Sequence, residues 1–237
     1  MIVAIDAGNT RIKWGLFDGT RWLARDALPT PDAEGLSAIV GDWPDDVRVV
    51  ACSVAGEAVE HKIAAALAHR QVHWLRSSAE ACGVRNLYEQ PGQLGADRWA
   101  ALIGARGKAT SDCLVVCAGT ATTIDRLDAE GNFRGGVILP GFELMRAALA
   151  SNTAQLPLAQ GGYRDEPRNT MDAIVSGCLQ AQVGAVERCF AAIAEQPQAV
   201  CLLTGGAAPL LAPHLTIPYR IEESLILDGL VRYIASR

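Results

Sequence analysis

The chain has 237 residues and a net charge of -5, from 21 basic and 26 acidic side chains. Half of its residues are hydrophobic, which supplies the buried cores of one or two domains and excludes a disordered chain. The acidic balance argues against a nucleic-acid-binding protein, because such proteins cluster Lys and Arg on one face. No apolar run reaches the ~18 residues that a membrane span needs, and residues 1–6 lack the basic start of a signal peptide. We therefore expect a soluble, cytoplasmic protein with no nucleic-acid or membrane partner.

The first half of the chain predicts a mixed pattern of strands and helices. A short apolar strand at 2–5 ends in the turn cluster Asp6-Ala7-Gly8-Asn9-Thr10, and a second strand follows at Arg11–Phe17. Asp18-Gly19 is a strong hairpin signal before a third strand that ends near Arg25. Thr30 is predicted to cap a helix that begins at Pro31. The other elements expected here are a strand at 47–54, a helix at 57–70 and a strand at 72–75.

The second half predicts a similar succession of elements. After Gly95-Ala96-Asp97-Arg98 we expect a helix to about residue 108, a buried strand at 113–117 and a hairpin turn at 128–132. Apolar residues recur at helical spacing from Thr170 onward, which predicts a long helix; they are Ile174, Val175, Cys178, Leu179, Val183, Val186, Phe190 and Ile193. A strand at Val200–Thr204 ends in Gly205-Gly206. A short helix at 209–212, a strand at 218–221 and a C-terminal helix follow.

The two halves resemble each other. Residues 3–10 align with residues 114–121: each is an apolar strand, a turn of small and polar residues and then a polar strand. The repeat spacing of about 110 residues favours two duplicated domains over a solenoid array.

These turns have the composition of a phosphate-binding site. Glycine lets the backbone N–H groups approach an anion closely, and Arg11 and Lys13 add positive charge on one face of the outgoing strand. Asp6, at the strand end, is placed to hold a hydrated Mg²⁺ ion. Two such turns facing each other would bind one polyphosphate. The alternative is an ordinary turn before a hairpin, and Gly205-Gly206 is open to the same two interpretations, as a flat surface for a nucleotide or as a simple strand-to-helix turn.

Asp97 lies at the start of a predicted helix, where the helix dipole alone would favour an acidic residue. The functional interpretation is a general base: the dipole and Arg98 would keep Asp97 ionised and able to accept a hydroxyl proton. Gly104-Ala105-Arg106-Gly107-Lys108 is not a P-loop, because its glycines are too close together and it ends a helix.

The ordered set of motifs resembles the type III pantothenate kinase family, which belongs to the actin/sugar-kinase/Hsp70 ATPase superfamily. No single motif is decisive, but the set occurs in family order along the whole chain. The matching motifs are Asp6-Ala7-Gly8-Asn9-Thr10, Tyr88 with Gly95-Ala96-Asp97-Arg98, Gly119-Thr120-Ala121-Thr122-Thr123-Ile124-Asp125, Gly135-Gly136-Val137-Ile138-Leu139-Pro140-Gly141, and Asn169-Thr170.

The resemblance implies an α/β fold of two duplicated ribonuclease-H-like domains with mixed central sheets, at 1–110 and 111–237. It implies ATP-dependent phosphorylation of pantothenate, the first step of coenzyme A synthesis, by a homodimer. Asp97 would be the catalytic base. The ATP-binding residues would be Asp6, Ala7, Gly8, Asn9, Thr10, Arg11, Ile12, Lys13 and Thr120. The substrate-binding residues would be Tyr88, Gly95, Ala96, Asp97, Arg98 and Thr170, the last across a dimer interface. Thr170 is equally interpretable as a helix N-cap.

The expected cofactors are ATP and Mg²⁺, with Asp6 and Asp125 as candidate metal ligands. Many family members have an aspartate that binds K⁺ or NH₄⁺ three residues before Thr120, where this chain has Cys117. A neutral thiol is a poor ligand for a hard cation, which puts the monovalent-cation requirement in question. The seven cysteines contain no C-x-x-C pair and are expected to be reduced thiols.

Two other functions compete with this one. A kinase of the same superfamily could phosphorylate another hydroxyl compound, such as a sugar. A regulatory or accessory protein could use the same scaffold without catalysis, although the presence of Asp6, Asp97, Thr120 and Asp125 argues against lost activity.

Overall fold

The computed structural model describes residues 1–40, 43, 46–67, 70–153, 156 and 158–237. The chain divides into two compact units. Unit 1 comprises Met1–Thr110, Glu130–Arg134 and Ser224–Arg237, and unit 2 comprises Ser111–Ala129 and Gly135–Glu223. The division into duplicated domains after residue 110 stays a prediction; the compact units share that boundary, but unit 1 also takes in the two later segments.

The described residues form strands and helices in alternation. The strands are β1 Ile2–Ala7, β2 Arg11–Phe17, β3 Trp22–Pro29, β4 Arg48–Ser53, β5 Val72–Trp74, β6 Glu80–Ala81, β7 Val84–Asn86, β8 Cys113–Ala118, β9 Ala121–Leu127, β10 Asn132–Pro140, β11 Val200–Thr204 and β12 Tyr219–Ile221. The α-helices are α1 Leu36–Val40, α2 Glu57–Ala66, α3 Ala96–Arg106, α4 Phe142–Asn152, α5 Thr170–Phe190, α6 Ala208–Leu211 and α7 Leu225–Ala235. Within the described residues, no helix combines the length and apolar composition that crossing a bilayer requires.

Unit 1 is built on a mixed five-stranded sheet in the order β3-β2-β1-β4-β5. The β1–β2 and β2–β3 pairs are antiparallel, whereas β4 runs parallel to both β1 and β5. Apolar side chains of β1, β2 and β4 form a core with Leu36 and Ile63 of the α1 and α2 region. The first residues of β10, Asn132 and Phe133, pair with β7 in the same unit.

Unit 2 repeats this order with the strands β10-β9-β8-β11-β12. The β8–β9 pair is antiparallel, and β11 runs parallel to both β8 and β12. The apolar stripe predicted from Thr170 onward is buried on α5 and its continuation, where it packs with Leu114 and Val116 of β8. When the five strands are counted along the chain within each unit, both units have the order third, second, first, fourth, fifth. The duplication seen in the sequence is therefore a duplication of topology.

The α3 helix is held by a close crossing with α7 inside unit 1. A Cβ added to Gly104 would lie 2.2 Å from the Leu225 carbonyl oxygen, and one added to Gly229 would lie 1.8 Å from the Ala100 carbonyl oxygen. Glycine is therefore required on both helices, and the crossing fixes the helix that carries Asp97 at its first turn.

Most predicted elements are confirmed, with two corrections in local structure. The third strand, predicted to end near Arg25, continues to Pro29. Thr30 does not cap an α-helix: a 3₁₀ helix occupies Thr30–Gly35, and no side chain caps it. The α4 helix was not predicted, because Pro140-Gly141 is typical of a turn and this helix begins directly after it. Helix α2 ends at Ala66, and the predicted continuation over 68–69 lies outside the described residues.

Candidate functional site

The turn between β1 and β2, predicted to bind phosphate, is held by three hydrogen bonds. The Gly8 N–H donates to the Arg11 carbonyl at 3.1 Å, and the Thr30 N–H donates to the Thr10 carbonyl at 3.0 Å. The Thr30 hydroxyl donates to the Gly8 carbonyl at 2.7 Å. Asn9, Thr10 and Arg11 are exposed, so the bonded turn presents its polar groups to solvent.

Unit 2 has a corresponding turn between β8 and β9. The Gly119 N–H donates to the Ala121 carbonyl at 3.0 Å, and the Gly141 N–H donates to the Thr120 carbonyl at 2.9 Å. Gly141 thus occupies the place that Thr30 occupies in unit 1, directly after the third strand of its sheet. A Cβ at Gly141 would lie 2.1 Å from the Gly119 carbonyl oxygen, so no side chain fits there without moving the turn.

The end of β1 carries a row of three functional groups across the sheet. Asp6 pairs in register with Lys13 on β2 and with Cys52 on β4. The Asp6 carboxylate is 6% exposed and accepts a hydrogen bond from the Cys52 thiol, with Sγ 3.7 Å from Oδ1. Burial raises the pKa of Asp6 to about 6; Lys13 opposes this rise, and Asp97 adds to it. Burial and the nearby Asp6 raise the pKa of the Cys52 thiol well above its usual value, so it stays a protonated donor.

Asp97 is the second residue of α3 and depends on the small residue before the helix. A Cβ at Gly95 would lie 2.7 Å from Asp97 Oδ1, so glycine leaves room for the carboxylate. That oxygen accepts a hydrogen bond from the Arg98 N–H at 2.8 Å. Burial nevertheless raises the pKa of Asp97 above its ordinary value, outweighing the Arg98 N–H, the Arg98 charge and Lys13. That Asp97 is kept ionised by the helix dipole and Arg98 stays a prediction: Arg98 lowers the pKa of Asp97 as expected, but desolvation is the larger effect.

The structure thus brings Asp6, Lys13 and Asp97 into one electrostatic group within unit 1. The charge of Lys13 lowers the pKa of both carboxyls, while Asp97 raises the pKa of Asp6. One ammonium facing two partly desolvated carboxylates is a suitable environment for a general base beside a phosphate.

Arg98 is buried beside two aromatic rings. Its Nη1 donates to the Tyr88 hydroxyl at 3.1 Å, and its guanidinium carbon lies 5.7 Å from the Tyr88 ring centre and 5.8 Å from that of Phe133. The two rings are 5.1 Å apart. The Asn86 side chain accepts from the Tyr88 N–H at 3.1 Å and donates to the Pro91 carbonyl, which fixes the loop that carries Tyr88.

The predicted residues of unit 2 lie on and beside the β8–β9 turn. Thr120 is exposed, and Asp125 is fully buried on β9. Cys117 on β8 pairs in register with Thr123 and with Thr204, so two hydroxyl-bearing residues flank the thiol. No disulfide involves any of the seven cysteines, all of which are described, in agreement with the expectation of reduced thiols.

Gly205 and Gly206, which follow β11, have different environments. Gly205 has a φ of +101°, and a Cβ there would lie 2.3 Å from the Ala118 carbonyl oxygen, so the turn itself requires glycine. Gly206 is exposed and has open space beside it. The nucleotide interpretation of this pair stays a prediction.

Thr170 is exposed at the start of α5, but it is not the N-cap. Asn169 caps the helix, its side chain accepting from the Asp172 N–H at 2.9 Å. Thr170 instead lines a mainly apolar groove of about 1120 Å³ beside α4 and α5. Other lining residues include Ala148, Leu149 and Ala181.

Sequence reasoning missed three side chains that support the site. Thr30 was interpreted as a helix cap because a threonine before Pro31 is typical of one. Cys52 and Phe133 carry no local motif, and their roles follow from sheet register and from long-range pairing. The register of β1 with β4 could have identified Cys52, since parallel strands align the residues at their ends.

Comparisons with known proteins identify relatives along the whole chain. A family model described as type III pantothenate kinase matches residues 2–192. The chain is 56% identical over 232 residues to the type III pantothenate kinase of Aromatoleum aromaticum, covering 97% of this chain and 96% of that protein. It is 49% identical to that of Dechloromonas aromatica, with 99% of both chains covered.

A solved structure supports the architecture. A conserved Baf family protein from Campylobacter jejuni, 20% identical, superposes with a TM-score of 0.68 over 99% of this chain and 98% of its own. The predicted fold class, a duplicated α/β architecture of the actin-like ATPase type, is confirmed.

Proposed function

This chain belongs to the type III pantothenate kinase family, and we propose that it transfers the γ-phosphoryl group of ATP to the hydroxyl of pantothenate, the first step of coenzyme A synthesis. The observation that carries the proposal is the group of Asp6, Lys13 and Asp97 in unit 1: Asp6 and Lys13 pair in register on β1 and β2, and Asp97 of α3 interacts electrostatically with both. It combines a candidate base with the charges that a phosphoryl transfer needs.

Asp97 is the proposed general base. The pantothenate hydroxyl oxygen bonds to the γ-phosphorus while the bond from that phosphorus to the bridging oxygen breaks, and ADP leaves with the electron pair. The hydroxyl proton passes to the Asp97 carboxylate. A pKa raised by burial makes this carboxylate a stronger base than an exposed aspartate, and its main task is to orient the nucleophile.

The exposed turn Gly8-Asn9-Thr10 and the side chains of Arg11 and Lys13 are the proposed phosphate ligands of unit 1, and Thr120 is the proposed ATP ligand of unit 2. Asp6 fits a role in holding Mg²⁺, because a cation would offset the cost of its buried negative charge. In the described part of the chain, no cluster of three His, Cys, Asp or Glu side chains forms a metal cage. Mg²⁺ does not need one, since it commonly uses one or two carboxylates with water and phosphate oxygens. When bound, the ion neutralises charge on the phosphates.

Tyr88, Gly95, Ala96 and Arg98 are the proposed pantothenate contacts. Pantothenate carries a carboxylate, for which the buried Arg98 guanidinium is a suitable partner. The Tyr88 hydroxyl and the Phe133 ring hold that guanidinium in place.

A monovalent cation would have to bind near Cys117 through neutral oxygens. The flanking Thr123 and Thr204 supply hydroxyl and carbonyl groups, whereas the thiol is a poor ligand for K⁺. We expect activity to persist when K⁺ and NH₄⁺ are replaced by a large organic cation in a coupled assay of ADP release. Collapse of activity would contradict this weak-site interpretation.

The proposed assembly is a homodimer that uses the groove beside α4 and α5. Exposed positions along α5 carry small residues, Ala173, Gly177, Ala181 and Gly184, which allow another helix to approach closely. Thr170, at the edge of the groove, would then be available to the substrate of a second subunit.

The Asp97→Asn variant tests the catalytic assignment. We expect turnover of pantothenate to fall by about 10²- to 10⁴-fold, because the base is lost, while ADP still binds. Coupled ADP release and calorimetric ADP titration measure the two effects. Unchanged turnover would instead favour a regulatory protein on this scaffold, and ATP consumption with sugars but not with pantothenate would favour another kinase of the superfamily.

A further inference from the structure

Thr30 occupies an unusual place for a residue at the end of a surface strand. Thr30 is the first residue of a 3₁₀ helix and stands between Pro29 and Pro31. It is nevertheless only 5% exposed. Its polar groups point at the β1–β2 turn and not along the helix that follows. The hydroxyl donates to the Gly8 carbonyl at 2.7 Å, and the N–H donates to the Thr10 carbonyl at 3.0 Å.

These two bonds fix two peptide planes of the turn. Because no peptide bond in the described residues is cis, the carbonyl of Gly8 and the N–H of Asn9 point in opposite directions from one plane. The Thr30 hydroxyl, by holding the Gly8 carbonyl, therefore directs the Asn9 N–H away from Thr30. A backbone N–H held in one direction is the kind of donor that binds phosphate at a glycine-bearing turn.

A comparison with unit 2 shows which of the two Thr30 hydrogen bonds occurs in both units. Gly141 makes the equivalent backbone bond to Thr120 but has no side chain to make the second one. The hydroxyl bond to Gly8 is therefore an addition of unit 1, at the turn that directly follows β1, the strand that carries Asp6.

We infer that Thr30 is a positioning residue that holds the Gly8–Asn9 peptide in the orientation that receives the phosphates of ATP. The inference rests on the proposed function for the identity of the phosphate compound. Thr30 touches neither substrate; it acts through the turn.

The test compares Thr30→Val, which keeps the shape and the backbone N–H but removes the hydroxyl, with Thr30→Ser, which keeps the hydroxyl. We expect Thr30→Val to raise the KM for ATP about tenfold, because the Gly8 carbonyl loses its partner, with the KM for pantothenate nearly unchanged. Thr30→Ser should restore most of the loss. Thr20→Val is the matched control: it removes an exposed hydroxyl that donates to the nearby Asp18 in the β2–β3 turn, and should leave both KM values at the original level.

A wild-type KM for ATP in folded Thr30→Val overturns the inference, and so does an equal rise in both KM values, which would indicate a general structural role. If Thr30→Val does not fold, the amide resonance of Asn9 in the unmodified protein decides: it must shift on addition of ADP, and an unmoved resonance overturns the inference. ADP titration of the same variants without pantothenate measures the effect of Thr30 on nucleotide binding. This measurement does not depend on whether pantothenate is the substrate. If the unmodified protein binds ADP but does not phosphorylate pantothenate, the proposed function fails and the titration still tests Thr30.

Discussion

At the scale of single residues, the site uses burial to change the chemistry of two ordinary aspartates. Asp6 and Asp97 are both desolvated and share the charge of Lys13, and neither is fully compensated. In the absence of ligands this arrangement costs stability, because a buried carboxylate is held in a less favourable environment than in the unfolded chain. Ligands that bring positive charge or hydrogen-bond donors would recover that cost.

The Asp6→Asn variant measures this cost. The folded pKa of Asp6 is about 6 and its ordinary value is 3.8, so between these values the folded protein binds more protons than the unfolded chain. Stability from this group therefore falls as pH rises through that window and stays low above it. We expect Asp6→Asn to raise the free energy of unfolding by about 3 kcal/mol at pH 8, with little gain below pH 4.

Urea unfolding at pH 4, 6 and 8 in the presence of a chelator makes the measurement. Asp18→Asn is the control of opposite sign, since hydrogen bonds from Arg21 and Thr20 lower the pKa of Asp18 to about 2. That variant should lose stability above pH 4. Identical pH profiles for Asp6→Asn and the unmodified protein would contradict the raised pKa.

The Gly95→Ala variant tests how tightly Asp97 is placed. A methyl group 2.7 Å from Asp97 Oδ1 must displace the carboxylate, while its distances to Val54 and Arg98, 3.7 and 3.9 Å, are ordinary van der Waals contacts. We expect kcat to fall about tenfold or more with a small change in stability. Steady-state kinetics and thermal melting separate the two effects. Gly92→Ala, in the same loop but with open space at its Cβ, should retain full kcat.

At the scale of elements, the sequence predicted the segments with strong periodicity and missed those set by tertiary contacts. Strand β2 lies at the predicted Arg11–Phe17, and the buried face of α5 carries the apolar residues that the helical repeat predicted. Strands β6 and β7 have two and three residues and no apolar pattern, and they exist because β10 begins beside them. Thr30 was assigned to the wrong partner because its real acceptors lie 20 and 22 residues earlier.

The Gly229→Ala variant tests the crossing of α3 and α7. The added methyl group would overlap the Ala100 carbonyl, so the helices must separate. We expect a loss of about 3 kcal/mol in the free energy of unfolding. Gly206→Ala is the control, because its Cβ meets open space after β11 and no positive φ is recorded there, which should leave stability nearly equal. Equal stability of Gly229→Ala and the unmodified protein in urea would contradict the tight crossing.

At the scale of the whole molecule, the exposed small-residue face of α5 is the surface most suited to a second copy of the chain. Ala181→Arg would place a long charged side chain in the groove, and we expect it to convert the proposed dimer to a monomer. Light scattering after gel filtration measures the mass. Ala64→Arg, at an exposed position of α2, is the matched control and should leave the mass unchanged. A monomeric unmodified protein would contradict the proposed assembly.

At this scale, sequence interpretation fails at two segments that belong to a different compact unit from the residues before them in the chain. Residues 130–134 and 224–237 belong to unit 1 although most of the chain around them builds unit 2. A repeat detected by local similarity cannot reveal such exchanges, because the residues concerned carry no copy of the motif. The contact between Phe133 and Tyr88 exists because residues 130–134 belong to unit 1.

The position of α7 in the chain also affects how the protein is made. The α7 helix packs on α3 and β1 of unit 1, yet it is synthesised more than 100 residues after Thr110, where the first segment of unit 1 ends. All of unit 2 emerges before that helix does. Residues 1–110 must therefore wait, with an apolar face uncovered, while unit 2 is translated, and chaperone protection during that interval would matter more for unit 1 than for unit 2.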